Sequence, residues 1–316
     1  MTVVDRHPAA RSFVHEALLY SGDDEFTERT SAFIRDGLAR DESVLTVVDA
    51  PKIRRLRAAL GADADRVLFA DMADVGRNPA LIIQAWRDFV TRHDTPGRAR
   101  RGIGEPISAQ RSETALVECH IHEALLNVAF DGVADFWLMC PYDTASLPSP
   151  VIERAVQNHP FVCDGAGRTP GHDHEIEHAA GFSLPLPPAP DAASLFAFDV
   201  RRLAALRRFV RDQATDFGLE LGRRAELVVA ASEIATNSVL HGEGGGEVRI
   251  WTDNGHLVCE IRGSGHITDP LVGRLRPDPG AIHGYGIWLA NQFCDLVQIR
   301  SREDSGTTVR LHVRNI

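Results

Sequence analysis

The sequence predicts an α/β protein of two domains, and three observations carry that expectation. The first half alternates short apolar β-like runs with amphipathic stretches, the βαβ rhythm of a mostly parallel sheet covered by helices. A Gly- and Pro-rich stretch over 164–193 then interrupts every periodicity. The last third reads helix, helix, hairpin, helix, hairpin, as in a sandwich of helices on a sheet. At 316 residues the chain also exceeds the roughly 100 to 200 residues of an average domain.

Taken in order, Ala17 to Tyr20 reads as a strand, about Glu25 to Ala39 as a helix, Ser43 to Asp49 as a strand and Lys52 to Leu60 as a basic helix. The rhythm continues through a strand at Val67 to Ala70, a helix at Pro79 to Arg92 and a strand near Arg101 to Gly104. A helix at Ser112 to Ala129 and a strand at Phe136 to Cys140 complete the half. The expected boundaries are a first domain over 13–163, a linker over 164–195 and a second domain over 196–316. Within the linker, LPLPPAP should form an extended, semi-rigid spacer, because proline fixes φ. Asp199 to Phe217 then follows helical spacing, with Leu203, Leu206, Phe209 and Val210 on one face.

Composition narrows the function classes. A hydrophobic share of 44% with 25% charged residues is ordinary globular composition. The net charge of -10 repels phosphate backbones and anionic lipid, so neither nucleic acid nor a membrane surface is an expected partner. Five cysteines without CxxC spacing read as reduced thiols. The early charges of MTVVDRHPAARSF and the lack of an 18-residue apolar window complete the expectation of a soluble, cytoplasmic protein.

The chemistry concentrates near the carboxy terminus. In ELVVAASEIATNSVLHG, Glu233 and Asn237 stand four residues apart and project from one helical face. A carboxylate there can orient a nucleophile, and an amide oxygen can hold Mg²⁺. Two strand-like runs follow, Glu247 to Trp251 and His256 to Arg262, joined at Asp253-Asn254-Gly255. After them come the turn Gly263-Ser264-Gly265, an irregular lid-like stretch from His266 to His283, and Gly284-Tyr285-Gly286 opening a helix from Ile287 to Leu296. Glycines at a helix start let the backbone approach phosphates. A last hairpin joins Leu296 to Arg300 with Thr307 to Val313.

This ordered series over Asp199 to Arg314 resembles the Bergerat-fold ATPases (the HATPase fold), particularly the anti-sigma-factor serine kinases. The resemblance implies ATP and Mg²⁺ as cofactors, with Glu233 as catalytic base and Asn237 as the magnesium ligand. It also implies that Gly265 belongs to the adenine pocket, that Gly284, Tyr285 and Gly286 face the phosphates, and that His241, Thr307 and Thr308 line the site less directly. A sigma factor or an antagonist of an anti-sigma factor is the implied partner, and a homodimer the implied assembly. One residue departs from the family's DxGxG pattern: Gly263 stands where an aspartate accepts the adenine amino group. The loss of such a hydrogen bond costs roughly 1.5 to 3 kcal/mol, about tenfold to more than a hundredfold in affinity. Water or Ser264 offers a substitute acceptor. Without one, the module becomes a non-catalytic, partner-binding pseudokinase.

The amino-terminal half resembles the MEDS sensory domain, on the segments His15 to Asp23, DMADVGRNP, GIGEP, ECHIHEALLN and CPYD. That resemblance implies a RecA-like or Rossmannoid sheet and a small-molecule cue. The first loop, SGDDEFTERT, lacks a phosphate-binding lysine and puts carboxylates where phosphates sit in other such folds. Glu105, Glu118, His120, His122 and Glu123 are candidates for a sensory pocket at the strand ends, against the simpler reading of a structural polar network. Cys119, His120, His122 and Cys140 have poor spacing for zinc, and His172, His174 and His178 read as solvated. A true histidine kinase ranks last, because Asp199 to Phe217 contains no phosphoacceptor histidine.

Overall fold

The computed structural model describes residues 12–171, 182, 184–280 and 284–315. The chain divides into two compact units, Met1–Glu177 and His178–Ile316.

In the first unit the strands are β1 (Val14–Tyr20), β2 (Ser43–Val48), β3 (Val67–Asp71), β4 (Arg100–Gly104), β5 (Phe136–Asp143), β6 (Phe161–Asp164) and β7 (Gly167–Pro170). The helices are α1 (Gly22–Ala39), α2 (Ala50–Leu60), α3 (Met72–Val75), α4 (Ile82–Arg92), α5 (Glu113–Ala129) and α6 (Ser149–Asn158). The sheet runs β3-β2-β4-β5-β1-β6-β7, parallel except for the last strand, which turns back on β6. Central strands with both faces covered are buried nearly throughout, and VHEALLY and FWLMCPYD are, their polar members His15 and Glu16 included. Leu18, Tyr20, Phe26, Ile34 and Leu56 pack one face under α1 and α2, while α4, α5 and α6 pack together on the other.

The boundaries differ from the sequence reading in two places. The stretch expected to start the linker at 164 instead holds β7, which Arg168 fixes by pairing with Glu16 at 2.8 Å and stacking on Phe161 and Trp137. The proline-rich tail is no free spacer either: Ala189 is buried, and Arg310 donates a hydrogen bond to the Pro187 carbonyl. The cause is tertiary, since extended proline-rich backbone keeps unpaired carbonyls that a neighbouring guanidinium satisfies.

The second unit comprises β8 (Ser194–Asp199), α7 (Leu203–Asp216), α8 (Leu221–His241), β9 (Gly245–Asp253), β10 (His256–Gly263), α9 (Tyr285–Phe293), β11 (Leu296–Arg302) and β12 (Gly306–Val313). Its antiparallel sheet runs β11-β12-β10-β9-β8. Strand β8, taken in the sequence for linker and helix start, ends at Asp199, whose carboxylate accepts from the Arg201 and Arg202 amides and opens a short 3-10 turn. Helix α7 buries Leu206, Val210 and Ala214 in the domain core with Leu227, Ala231 and Ile234 of α8. It is therefore a packed element of this unit, not a hairpin carrying a phosphoacceptor.

On β12, His312 is buried beside the Gln298 amide oxygen at 3.0 Å. Burial first, then His256 and Arg310, lowers its pKa to about 4. Because the unfolded imidazole titrates near 6.5, stability is full above that pH and falls as pH drops from 6.5 towards 4, where the unfolded chain binds a proton that the native one refuses. Hydrogen exchange on β12 in the full chain should report about 2 kcal/mol less protection at pH 5 than at pH 7. His312→Gln should lose most of that slope, and an unchanged slope would refute the assignment.

Candidate functional site

Helix α8 forms because Leu227, Ala230, Ala231, Ile234 and Ala235 repeat at helical spacing and bury one stripe against the sheet. Glu233 and Asn237 lie beside that stripe, half-buried, and face α9. Helix α9 begins at Gly284, whose φ of 99° lies in the left-handed region that glycine alone occupies at little cost. Glycine has no side chain to cap the first turn, and a helix start presents backbone N–H groups that suit an anionic ligand.

These elements enclose a cavity of about 600 Å³, within the usual range for small-molecule sites. Glu233, Asn237, His241, Gly263, Gly265, Gly284, Tyr285, Gly286 and Thr307 all line it. A Cβ placed on Gly286 would stand 3.0 Å from Asn237 Nδ2 and 3.3 Å from Glu233 Oε2, so the carboxylate and amide lie directly against the glycine backbone. That cradle fits a phosphate chain with its cation.

The other end of the cavity is built differently. Ile261 pairs with Val309 and Gly263 with Thr307 across β10 and β12, and all four line the floor. Strand alternation turns Thr308 to the opposite face, so this residue, expected at the site, does not line the cavity. The Thr307 hydroxyl is committed to the Gly265 carbonyl at 2.7 Å and lies 2.8 Å from Ser301 Oγ. Ser264, considered as a stand-in for the missing carboxylate, is exposed, and its hydroxyl accepts from the Glu243 amide at 2.7 Å. It does not line the cavity. Ser238 was missed in the sequence: a Cβ on Gly263 would meet Ser238 Cβ and Oγ at 2.7 Å each. The cradle at Gly286 therefore fits a phosphate chain, whereas among the described residues no carboxylate lines the Gly263 end of the cavity, and Ser238 fills the space beside that glycine. Ile261, Val309, Ile267 and Val272, the apolar walls, were also missed. Only the period-2 alternation of β10 and β12 hinted at the first two.

In the first unit the sensory-pocket candidates separate. Glu105, at the end of β4, accepts from Lys52 Nζ at 2.6 Å and from the Tyr20 hydroxyl at 2.6 Å, on the α1–α2 side of the sheet. Burial raises its pKa against the pull of Lys52. Glu123 lies in α5 on the other side, beside His15 and His159. Glu118 and His122 are buried in α5 as well, and His122 lies near enough to favour the charged form of Glu123. Of the expected group only Glu105 is thus set apart, on the sheet face opposite α5, which carries Glu118, His120, His122 and Glu123. At the first strand-to-helix loop, Glu25 accepts from the Ser21 amide at 2.8 Å and Asp143 from the Gly22 amide at 3.1 Å, occupying the donors that a phosphate needs. None of the five cysteines is joined in a disulfide, and no helix among the described residues is long and apolar enough to cross a membrane. The histidines at 172, 174 and 178 lie outside the described residues.

A glycine-opened helix set against a Glu/Asn helix above an antiparallel sheet defines the second unit as a nucleotide-binding module of the ATPase class. The family comparison makes this particular. Residues 14–160 match the model of the MEthanogen/methylotroph, DcmR Sensory (MEDS) domain, and residues 196–313 match the histidine kinase-like ATPase domain. The chain carries a MEDS domain followed by a histidine kinase-like ATPase domain. No curated protein matches it. The pairing marks a signalling regulator, and the second match implies ATP binding, usually with Mg²⁺.

Proposed function

We propose that the amino-terminal domain senses a small-molecule cue and controls an anti-sigma-factor-type serine kinase, whose protein partner is an anti-sigma-factor antagonist or a sigma factor. The observation that carries this reading is the contact of Glu233 and Asn237 with the backbone at Gly286, beneath the open helix start at Gly284. In this reading ATP supplies the γ-phosphoryl group and Mg²⁺ offsets charge on its oxygens. Amides of Gly284, Tyr285 and Gly286 receive phosphate oxygens, Asn237 holds the cation, and Glu233 takes the proton from the partner's serine hydroxyl. The partner class and a homodimeric assembly rest on the resemblance to anti-sigma-factor kinases. The cytoplasm is the compartment this reading requires.

A second reading, a partner-binding pseudokinase, is favoured by Gly263 and by the Ser238 side chain filling the space beside it. Calorimetric titration of the full chain with ATP and Mg²⁺ separates the two. Binding that Asn237→Ala abolishes supports the kinase; a wild type that takes up no nucleotide supports the scaffold. The structure also changes the design of a restored pocket. Gly263→Asp alone should fail to tighten ATP, because its Cβ collides with Ser238. Combined with Ser238→Gly, it should tighten ATP about tenfold or more. Equal affinity of the double variant and the wild type would remove the adenine-acceptor argument.

A further inference from the structure

A second buried group of side chains lies on the α5 side of the amino-terminal sheet. Cys140 pairs with Ala17 in register, so it shares a sheet face with His15, two residues before Ala17 on β1. Glu123 reaches this point from α5, and His159 from the segment joining α6 to β6. All four are at most 1% exposed. One nitrogen, oxygen or sulfur from each lies within 4.8 Å of the others.

Three features set this group apart from an ordinary polar core. Both imidazoles are held from behind. His159 Nδ1 donates to the Ala155 carbonyl at 2.7 Å, and His15 Nδ1 to Asn127 Oδ1 at 3.0 Å, the Asn127 amide being oriented by its own donation to the Asn158 carbonyl. Each neutral ring therefore turns the lone pair of Nε2 inward, the arrangement that metal-bound histidines obtain from their outer partners.

That orientation leaves the centre short of protons. Two Nε2 lone pairs and the Glu123 carboxylate converge, and only the Cys140 thiol can donate among them. His159 Nε2 and Glu123 Oε1 have no hydrogen-bond partner.

Three of the six separations point the same way, and all six are within 4.8 Å. Glu123 Oε2 lies 3.2 Å from His15 Nε2 and 3.3 Å from His159 Nε2, and Cys140 Sγ lies 3.4 Å from His15 Nε2. Charge-assisted hydrogen bonds are shorter, about 2.7 to 2.9 Å. The edges of a tetrahedron with metal–nitrogen bonds near 2.0 Å and a metal–sulfur bond near 2.3 Å are about 3.3 to 3.5 Å.

We propose that His15, Glu123, Cys140 and His159 form a closed four-coordinate site for a divalent transition metal of the zinc class. On ligation the Cys140 thiol loses its proton to solvent and binds as thiolate. The mixture of nitrogen, sulfur and oxygen donors selects zinc-like ions over Mg²⁺ or Ca²⁺. The site is independent of the nucleotide cavity, so its test does not depend on kinase activity.

The experiment is titration of the chelator-treated full chain with Co²⁺. One equivalent should produce tetrahedral ligand-field absorption with a sulfur-to-cobalt charge-transfer band, and Zn²⁺ should displace it. Cys140→Ser should lose the charge-transfer band, whereas Asn127→Ala should keep the spectrum and bind about 10- to 100-fold more weakly. A chain with His172, His174 and His178 replaced by alanine should match the wild type. X-ray absorption on the zinc-loaded wild type, which needs no variant to fold, should count one sulfur and three nitrogen or oxygen donors. No uptake by the folded wild type, a zinc shell without sulfur, a charge-transfer band that survives Cys140→Ser, or loss of the signal with the three linker histidines would each overturn the assignment.

Discussion

On the proposed kinase reading, Glu233→Gln should lower phosphoryl transfer to a serine of the antagonist by about 10²- to 10⁴-fold, equivalent to roughly 3 to 5 kcal/mol of transition-state stabilisation. The amide keeps the size of the carboxylate, so contacts with Gly286 survive, and ATP affinity should stay within a few-fold of wild type. What disappears is the acceptor for the hydroxyl proton. Labelled-phosphate transfer to a purified antagonist measures the first quantity and calorimetry the second. Undiminished transfer would exclude Glu233 as the base. A parallel loss of ATP binding would instead make it a structural part of the cavity wall.

The second large effect concerns stability. Arg101 on β4 is only 1% exposed; it pairs with Glu42, donates to Asp36 Oδ2 at 2.6 Å and to the Phe33 carbonyl at 3.0 Å. Its guanidinium also lies 4.7 Å from the Phe33 ring centre and 5.0 Å from that of Trp137. Arg101→Met keeps an apolar stem but strands the buried Glu42 carboxylate, and should destabilise the first unit by about 3 to 5 kcal/mol. Adding Glu42→Leu removes the stranded charge and should recover most of that loss, because replacing both members of a buried pair is often neutral. Denaturant-dependent hydrogen exchange on β4 peptides reads both numbers. A single variant within 1 kcal/mol of wild type would mean that Glu42 finds water or another partner.

Much of the lining of the cavity in the second unit was legible in the sequence because its parts are local. Spacing of four on α8 places Glu233 beside Asn237, and glycines at the start of α9 announce backbone approach. Gly263 was visible as a departure for the same reason. Ser238 was not, since it lies far along the chain from Gly263, and only packing of α8 on β10 makes them neighbours. Thr308, implied by the family resemblance, falls outside the cavity because adjacent strand residues face opposite ways. On helix α5, Glu123 reaches His15 and His159, and no local spacing places those distant residues beside it.

By itself, the sequence determined the alternation of elements, the α/β class of both halves and the cluster of motifs along α8, β10 and α9, all of which depend on spacings of a few residues. The tertiary structure alone decided which strands became neighbours and which face each side chain took. His15, Glu123, Cys140 and His159 are separated by up to 144 residues in the chain, and a parallel sheet orders its strands by crossover connections whose path no local spacing records. That long-range pairing turned four scattered residues into one site.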